Sequence, residues 1–367
     1  MNPILWSITL RPQPLEICCW RICYAVRLKN AIRGKEGLEM ATGSAVDVVR
    51  ACLEHEPPEG LRVGPPQIAG TLTLFPIFRD ATGLDYITLA EAKEAQRSVE
   101  ITELGPLGNV SRLVVKNAGA LPVLIIDGDL LLGLKQDRVL NTTILVPARS
   151  TLEIPVSCVE AGRWHARSTT ARRGDFSVSP GVRAAKLKSM IRRTRASGKF
   201  DSDQHAIWKE VHKYVGSLGV ASETKAYSDI ERQRRSQIEQ RLAQLKPADG
   251  QSGVLAAVGG RPVSLDLFDK ASTLSRFWQG LIGSYITESL ATAASEVSVD
   301  VEAATEWIRG LGSGEASVHP AVGMGEAALI TGAGHDLSAL VVDGVPVHIA
   351  AQHEKRGSMS LTHAAVD

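Results

Sequence analysis

Much of what would classify this 367-residue chain at a glance is missing from it. No apolar run reaches the roughly 18 to 20 residues that a transmembrane helix needs, so no membrane partner is expected. Of five cysteines, Cys18, Cys19 and Cys23 crowd into the start, leaving the body only Cys52 and Cys158. That excludes a disulfide framework and suits a reducing, cytoplasmic setting. No C-x-x-C lies past residue 40, and no two of the nine histidines frame an H-E-x-x-H, so neither a metal nor another cofactor is expected. Gly310-Leu-Gly-Ser-Gly314 follows a helical pattern instead of opening one, so it reads as a cap and loop, not as a phosphate cradle. Net charge is nearly absent too: 41 basic against 40 acidic side chains give no global attraction for nucleic acid.

The local charge is different. From Ala161 to Phe200 there are eleven Lys/Arg and one acid, Asp175, a net of +10 that the rest of the chain balances with −9. Such a segment, 163–199, could bind a phosphate backbone in a salt-dependent way. It lacks aromatics for base stacking beyond Phe176 and Phe200, so intramolecular pairing or a solvated loop is the plain alternative.

Taken in order, residues 1–39 look foreign to the rest of the chain, either a disordered or mis-assigned start with Met40 as initiator, or a processed targeting segment. Val46 to Leu53 has a helical pattern. Strand-like alternation follows at 71–78, where Pro76 suits an edge or bulge. Further strands are expected at 99–103, 110–116, 122–126, 138–146 and 152–159, with a short helix at 89–96 and a hairpin turn at Asp127-Gly128. The middle, 201–247, is helical: Asp201 or Ser202 caps the first helix and Tyr227 to Leu245 forms the second. Hairpins at Gly259-Gly260 and Asp343-Gly344 and a long amphipathic helix over 271–291 complete the pattern, with Asp300 capping a shorter helix. Strands flank helices without βαβ alternation, so the class is α+β. It comprises a β-rich, sandwich-like N-terminal half (70–160), the basic segment (161–200), the helical middle, and a final α+β part (251–352) whose long helix packs back. Residues 40–367 are read as one domain with a tail at 353–367.

The stretch from Asp127 to Trp164 interrupts strand patterning with polar groups that are costly to bury unpaired. Gly133-x-Lys135-Gln136-x-Arg138, followed by Ile154-Pro155-Val156-Ser157-Cys158-Val159-Glu160-x-Gly162-Arg163-Trp164, resembles the ARG and rhodanese-phosphatase-superfamily-associated protein domain family. The similarity runs from about Gly60 toward the C-terminus. The resemblance implies an architecture and no particular activity; relatives are expected to carry Glu at Asp129 and Asn at Asp137.

Two readings of the polar stretch stay open. Lys135, Gln136, Arg138 and Asn141 would floor a pocket for a small anionic or polar ligand, with Glu160, Arg163 and Trp164 at its rim, Arg supplying a fork and Lys a point charge. Alternatively they close on one another, Arg138 pairing with Glu160, Asp129 or Glu103. A hydrolase would use Glu103 or Glu160 as general base. Cys158 as a nucleophile would need a base such as His165, His205 or His212, and a buried thiol is the plainer reading. His348, inside the last strand, reads as a satisfied core or edge residue.

Overall fold

The computed structural model describes residues 43–54, 60–79, 83–94, 99–293 and 298–353, within which seven helices and eighteen strands form. The chain divides into residues 1–43 and 44–367, and all of these helices and strands belong to the second unit. Residues 1–39, Pro57-Pro58, the end of the helix toward Gln96 and the tail past His353 lie outside the described residues.

One antiparallel sheet joins early strands, within 62–78, to late ones, within 251–353. It holds β1 (Arg62–Val63), β2 (Gln67–Ala69) and β3 (Leu72–Phe78) beside β13 (Gln251–Val258), β14 (Arg261–Phe268), β15 (Glu315–Pro320), β16 (Glu326–Gly332), β17 (His335–Val342) and β18 (Val345–His353). Its order is β1-β3-β13-β14-β18-β17-β16-β15, with β2 also on β3. Successive strand residues face opposite sides, and the cores follow: Leu74, Val254 and Ala256 join one cluster, Phe75, Leu255 and Ala257 another. On the first side lies α6 (Ala271–Leu290), through Phe277, Leu281 and Tyr285. On the second lie α1 (Ala45–Glu54) and α7 (Val301–Gly310), through Val49, Leu53 and Ile308.

The hairpins expected at Gly259-Gly260 and Asp343-Gly344 are present, closed by Val258↔Arg261 and Val342↔Val345. Each pair of turn residues has positive φ (57° and 74°; 50° and 74°), as a two-residue turn between twisted strands requires. Asp300 caps α7, accepting from the Ala303 N–H at 2.8 Å. The cap of α4 (Gln204–Ser217) is Asp203, one or two residues beyond the expected pair. Pro76 is at neither edge nor bulge: β3 lies inside the sheet, and Pro76 faces the gap between β1 and β2, where only its carbonyl is needed, by Gly64 N–H.

The remaining strands form two smaller sheets. One has the order β10-β7-β4, from β4 (Ile87–Thr88), β7 (Val123–Ile125) and β10 (Ile144–Val146), next to α2 (Leu89–Glu94). The other has the order β12-β8-β9-β11-β6-β5, from β5 (Val99–Glu103), β6 (Arg112–Asn117), β8 (Leu130–Leu132), β9 (Arg138–Leu140), β11 (Ser150–Cys158) and β12 (Arg172–Arg173). Val123, Ile125, Leu131, Leu140 and Val156 share one core between them. Asp127-Gly128 makes no hairpin. It links β7 to β8 in different sheets, only Gly128 has positive φ, and the Asp127 carboxylate is taken by Arg183 and Lys186. Leu130, Leu132 and Val139, on the opposite face of β8 and β9, pack on α3 (Pro180–Ser197), α4 and α5 (Ser228–Leu242) through Val182, Ile207, Val211 and Ile230. The fold is α+β, and α3 occupies part of the basic segment for which intramolecular pairing or a solvated loop is the plain expectation; Arg183, Lys186 and Arg195 on it are paired.

Candidate functional site

Between β8 and β9 the chain turns through Gly133 (φ 98°) and Leu134 (φ 49°). The backbone angle at Gly133 favours glycine, and a Cβ there would also displace the Ser168 hydroxyl, which it would meet at 2.3 Å. The turn is tied by Arg163, whose Nε donates to Glu160 Oε1 (2.8 Å) and Nη1 to the Leu134 and His165 carbonyls (2.7 and 2.8 Å). Its Nη2 reaches Glu160 Oε2 (2.5 Å), Asp137 Oδ1 and the Gly133 carbonyl (both 3.2 Å). Asp137 also accepts from Gly133 N–H (3.0 Å) and from Ser228 Oγ at the start of α5 (2.6 Å). Burial works to raise the Glu160 carboxyl, but the Arg163 and Asp137 N–H hydrogen bonds bring it below its ordinary value. Glu160 is fully buried with both oxygens engaged, so it offers no lone pair to a substrate.

The other sequence candidates divide. Gln136 donates to the Glu160 carbonyl (2.9 Å) and accepts from Arg138 Nη1 (2.9 Å). Lys135 N–H meets Glu103 Oε1 (2.9 Å), and its Nζ caps the Pro106 and Leu107 carbonyls (2.9 and 2.6 Å). Trp164, 46% exposed, stands over both cations. Asn141 belongs elsewhere: it donates to the Phe200 carbonyl, accepts from Ser157 Oγ, and its own carbonyl takes Lys186 Nζ. The Cys158 thiol is buried, donates to the Glu160 carbonyl, and is pushed up by burial against the pull of Arg138. His165, His205 and His212 are all exposed, and a thiol so placed is inert.

Beneath this lies a buried ionic network that sequence reasoning missed. Arg183 forks onto Asp266 (2.7 Å to each oxygen) and reaches Asp127 Oδ2 (3.1 Å). Lys186 holds Asp127 Oδ1, Tyr285 donates to Asp266, and His348 bridges Asp266 (3.0 Å) to Thr143 Oγ1 (2.7 Å). His348 is a satisfied core residue. Burial opposes the charge on Arg183, yet Asp266 and Asp127 hold it well above its usual value, while Asp266 lies far below the usual carboxylate range. Arg163, Arg167, Arg173, Arg183, Lys186 and Arg195, six of the eleven basic residues of that segment, each meet a carboxylate among the described residues.

Above the Gly133–Asp137 turn opens a cleft of about 480 Å³. Arg167 and Arg172 line one side, Arg232 and Arg235 of α5 the other, with Asp137 and Glu231 buried at the base. Glu231 Oε1 accepts from the Asp175 and Phe176 N–H groups (3.0 and 3.3 Å), while Oε2 has no hydrogen-bond partner among the described residues. Burial first, then Asp175, pushes the Glu231 carboxyl up; burial does the same to Asp137. The sequence pattern showed Glu231, Arg232 and Arg235 only as a charged helix face, and nothing local signalled the opposing wall. Because folded Glu231 holds its proton better than the unfolded chain does, stability falls as pH rises above its unfolded value of about 4.3. Glu231→Gln should therefore be at least as stable as the parent at pH 7 and lose this slope, measured by urea denaturation across pH 4 to 8.

The frame is an α+β protein with a charged cleft, without a helix among the described residues long and apolar enough to cross a membrane, and without a cluster of three metal-ligating side chains among them. Residues 60–352 match the family model of the ARG and Rhodanese-Phosphatase-superfamily-associated Protein domain, and the chain belongs to that family. No curated protein and no solved structure matches it.

Proposed function

We propose that this protein binds a small anionic ligand in the cleft above the Gly133–Asp137 turn, by ion pairing and hydrogen bonding without covalent chemistry. The observation that supports this is the lining: four guanidinium groups face three carboxylates, of Asp137, Asp229 and Glu231, and burial pushes two of those three toward their neutral form. Arg172 and Arg232 both line the cleft, Arg232 pairing with Asp229 (2.8 Å), and a phosphate or polycarboxylate there would receive charge-assisted hydrogen bonds from both. Inorganic phosphate and citrate are expected to raise the melting temperature, and calorimetric affinity should fall about ten- to a hundredfold in Arg172→Ala or Arg232→Ala, the worth of one charge-assisted contact. Absence of any stabilisation, or equal affinity in both variants, rejects the reading.

A second reading, a hydrolase with a carboxylate base, passes from Glu103 and Glu160 to Glu231, because Oε2 of Glu231 is unengaged, Glu231 lines the cleft, and burial raises its carboxyl above its ordinary value. Turnover of ester or phosphomonoester substrates that vanishes in Glu231→Gln, with binding retained, would favour it over simple binding.

A further inference from the structure

Arg138 stands directly across from Cys158 in the β9–β11 pairing and is wholly shut from solvent. Asp137 and Arg138 are successive residues, so the first faces the cleft and the second does not. Arg138 Nη1 donates to Gln136 Oε1, but Nε and Nη2 meet no hydrogen-bond partner among the described residues. Those two N–H groups share one edge of the planar guanidinium, the edge that receives both oxygens of a carboxylate in parallel. A buried cation with that edge unengaged is costly to keep.

No acid among the described residues closes on that edge. Asp137 and Glu160 belong to Arg163. Glu103 gives Oε1 to the Lys135 N–H, and its Oε2 is itself buried without a hydrogen-bond partner among the described residues, so Glu103 acts on Arg138 through its charge alone. What covers the guanidinium is Trp164, its ring centre 5.5 Å from Arg138 Cζ and 5.7 Å from Lys135 Nζ. Nearly half of that indole faces solvent, and it sits on a segment, 163–171, with no helix or strand.

We infer that Arg138 is the receptor of a second anion site, separate from the cleft, in which a small carboxylate takes the free edge of the guanidinium beneath Trp164 as a movable cover. A monoanion fits better than a phosphate dianion. One guanidinium supplies a single charge, the neighbouring Glu103 carboxylate repels a second negative charge, and Lys135 already spends its ammonium on two carbonyls. The planar carboxylate also matches the fork, and the indole above it offers a face to whatever the carboxylate carries.

The test uses the full chain with acetate and benzoate as probes, at constant ionic strength set with chloride. Emission that is present in the parent and lost in Trp164→Phe isolates this indole, and it should change saturably with either carboxylate. Repeating the titration with saturating phosphate should leave the response intact; abolition by phosphate would assign it to the cleft and overturn the second site. Arg138→Lys keeps the charge without the fork and should weaken binding at least tenfold, while Arg138→Gln should abolish it. An unchanged response in either variant, or phosphate binding here as tightly as acetate, overturns the proposal. Should both variants fail to fold, a crystal structure of the parent grown in acetate decides: acetate on Nε and Nη2 supports the site, and Glu103 closed onto them refutes it.

Discussion

Asp266→Ala is expected to cost about 3 to 5 kcal/mol, the penalty for breaking a buried ion pair by removing one partner. The variant keeps Arg183 fully buried while taking away both oxygens of its fork, and leaves it one contact with Asp127, an acid already shared with Lys186. It also strips an acceptor from the Tyr285 hydroxyl and from His348. For a domain with a typical 5 to 15 kcal/mol of stability, that loss is a large fraction of the whole. Equilibrium urea denaturation at pH 7 checks it, and a change under about 1 kcal/mol would show that water reaches the network. Replacing both partners, Arg183→Met with Asp266→Leu, should cost less than the single change, because no charge is stranded.

The same network sets an acid response. Asp266 has a folded pKa far below its unfolded value of about 3.9, so its contribution is fully present above pH 4 and is lost as pH falls toward the folded value. Lys186 acts with the other sign: burial, outweighing Asp127, lowers it below its ordinary value. The folded state therefore binds fewer protons at Lys186 than the unfolded one, and stability rises with pH from where the folded lysine loses its proton until the unfolded lysine loses its own.

Arg163→Ala should be nearly as damaging, again about 3 to 5 kcal/mol, since it leaves two buried carboxylates, Glu160 and Asp137, without their cation. The diagnostic is the direction of the pH response. In the parent, Glu160 lies below its ordinary value and withdraws stability as pH falls. Without Arg163, burial is opposed only by the Asp137 N–H and Thr224 hydrogen bonds and by Arg167 at 3.6 Å, so its folded pKa rises and the variant should recover stability relative to the parent as pH drops from 7 to 5. A deficit that stays constant over that range would mean the guanidinium acts through packing and its carbonyl contacts, not through charge. Arg163→Lys should recover little, because one ammonium cannot span the six acceptors that the guanidinium now meets.

How far the site was readable is clearest residue by residue. That Arg163, Glu160, Gln136 and Arg138 gather in space follows from the polar interruption of an apolar stretch, since such groups must meet partners when buried. Asn141 shares their strand region but turns away, to where Ser157, Phe200 and Lys186 close around it. The cleft could not be read at all: Gly133 and Asp137 are about a hundred residues before Arg232 and Arg235, and nothing in either segment names the other. Helix α3 was hidden by its own charges. Val182, Leu187, Met190 and Ile191 do mark a buried stripe, but Arg183 and Lys186 lie within it and read as solvated until their acids are located.

Local chemistry set the α+β class, the two tight hairpins, the Asp300 cap and the inward stripe of α6. Each depends on residues within a turn or two of one another, where sterics and short hydrogen bonds act without reference to the rest of the chain. Only the tertiary structure decided which sheet each early strand joins and which basic groups are solvated. The reason is distance along the chain: Arg183 is 83 residues from Asp266 and 56 from Asp127, so whether its charge is buried or bathed in water depends on partners that folding alone brings within reach.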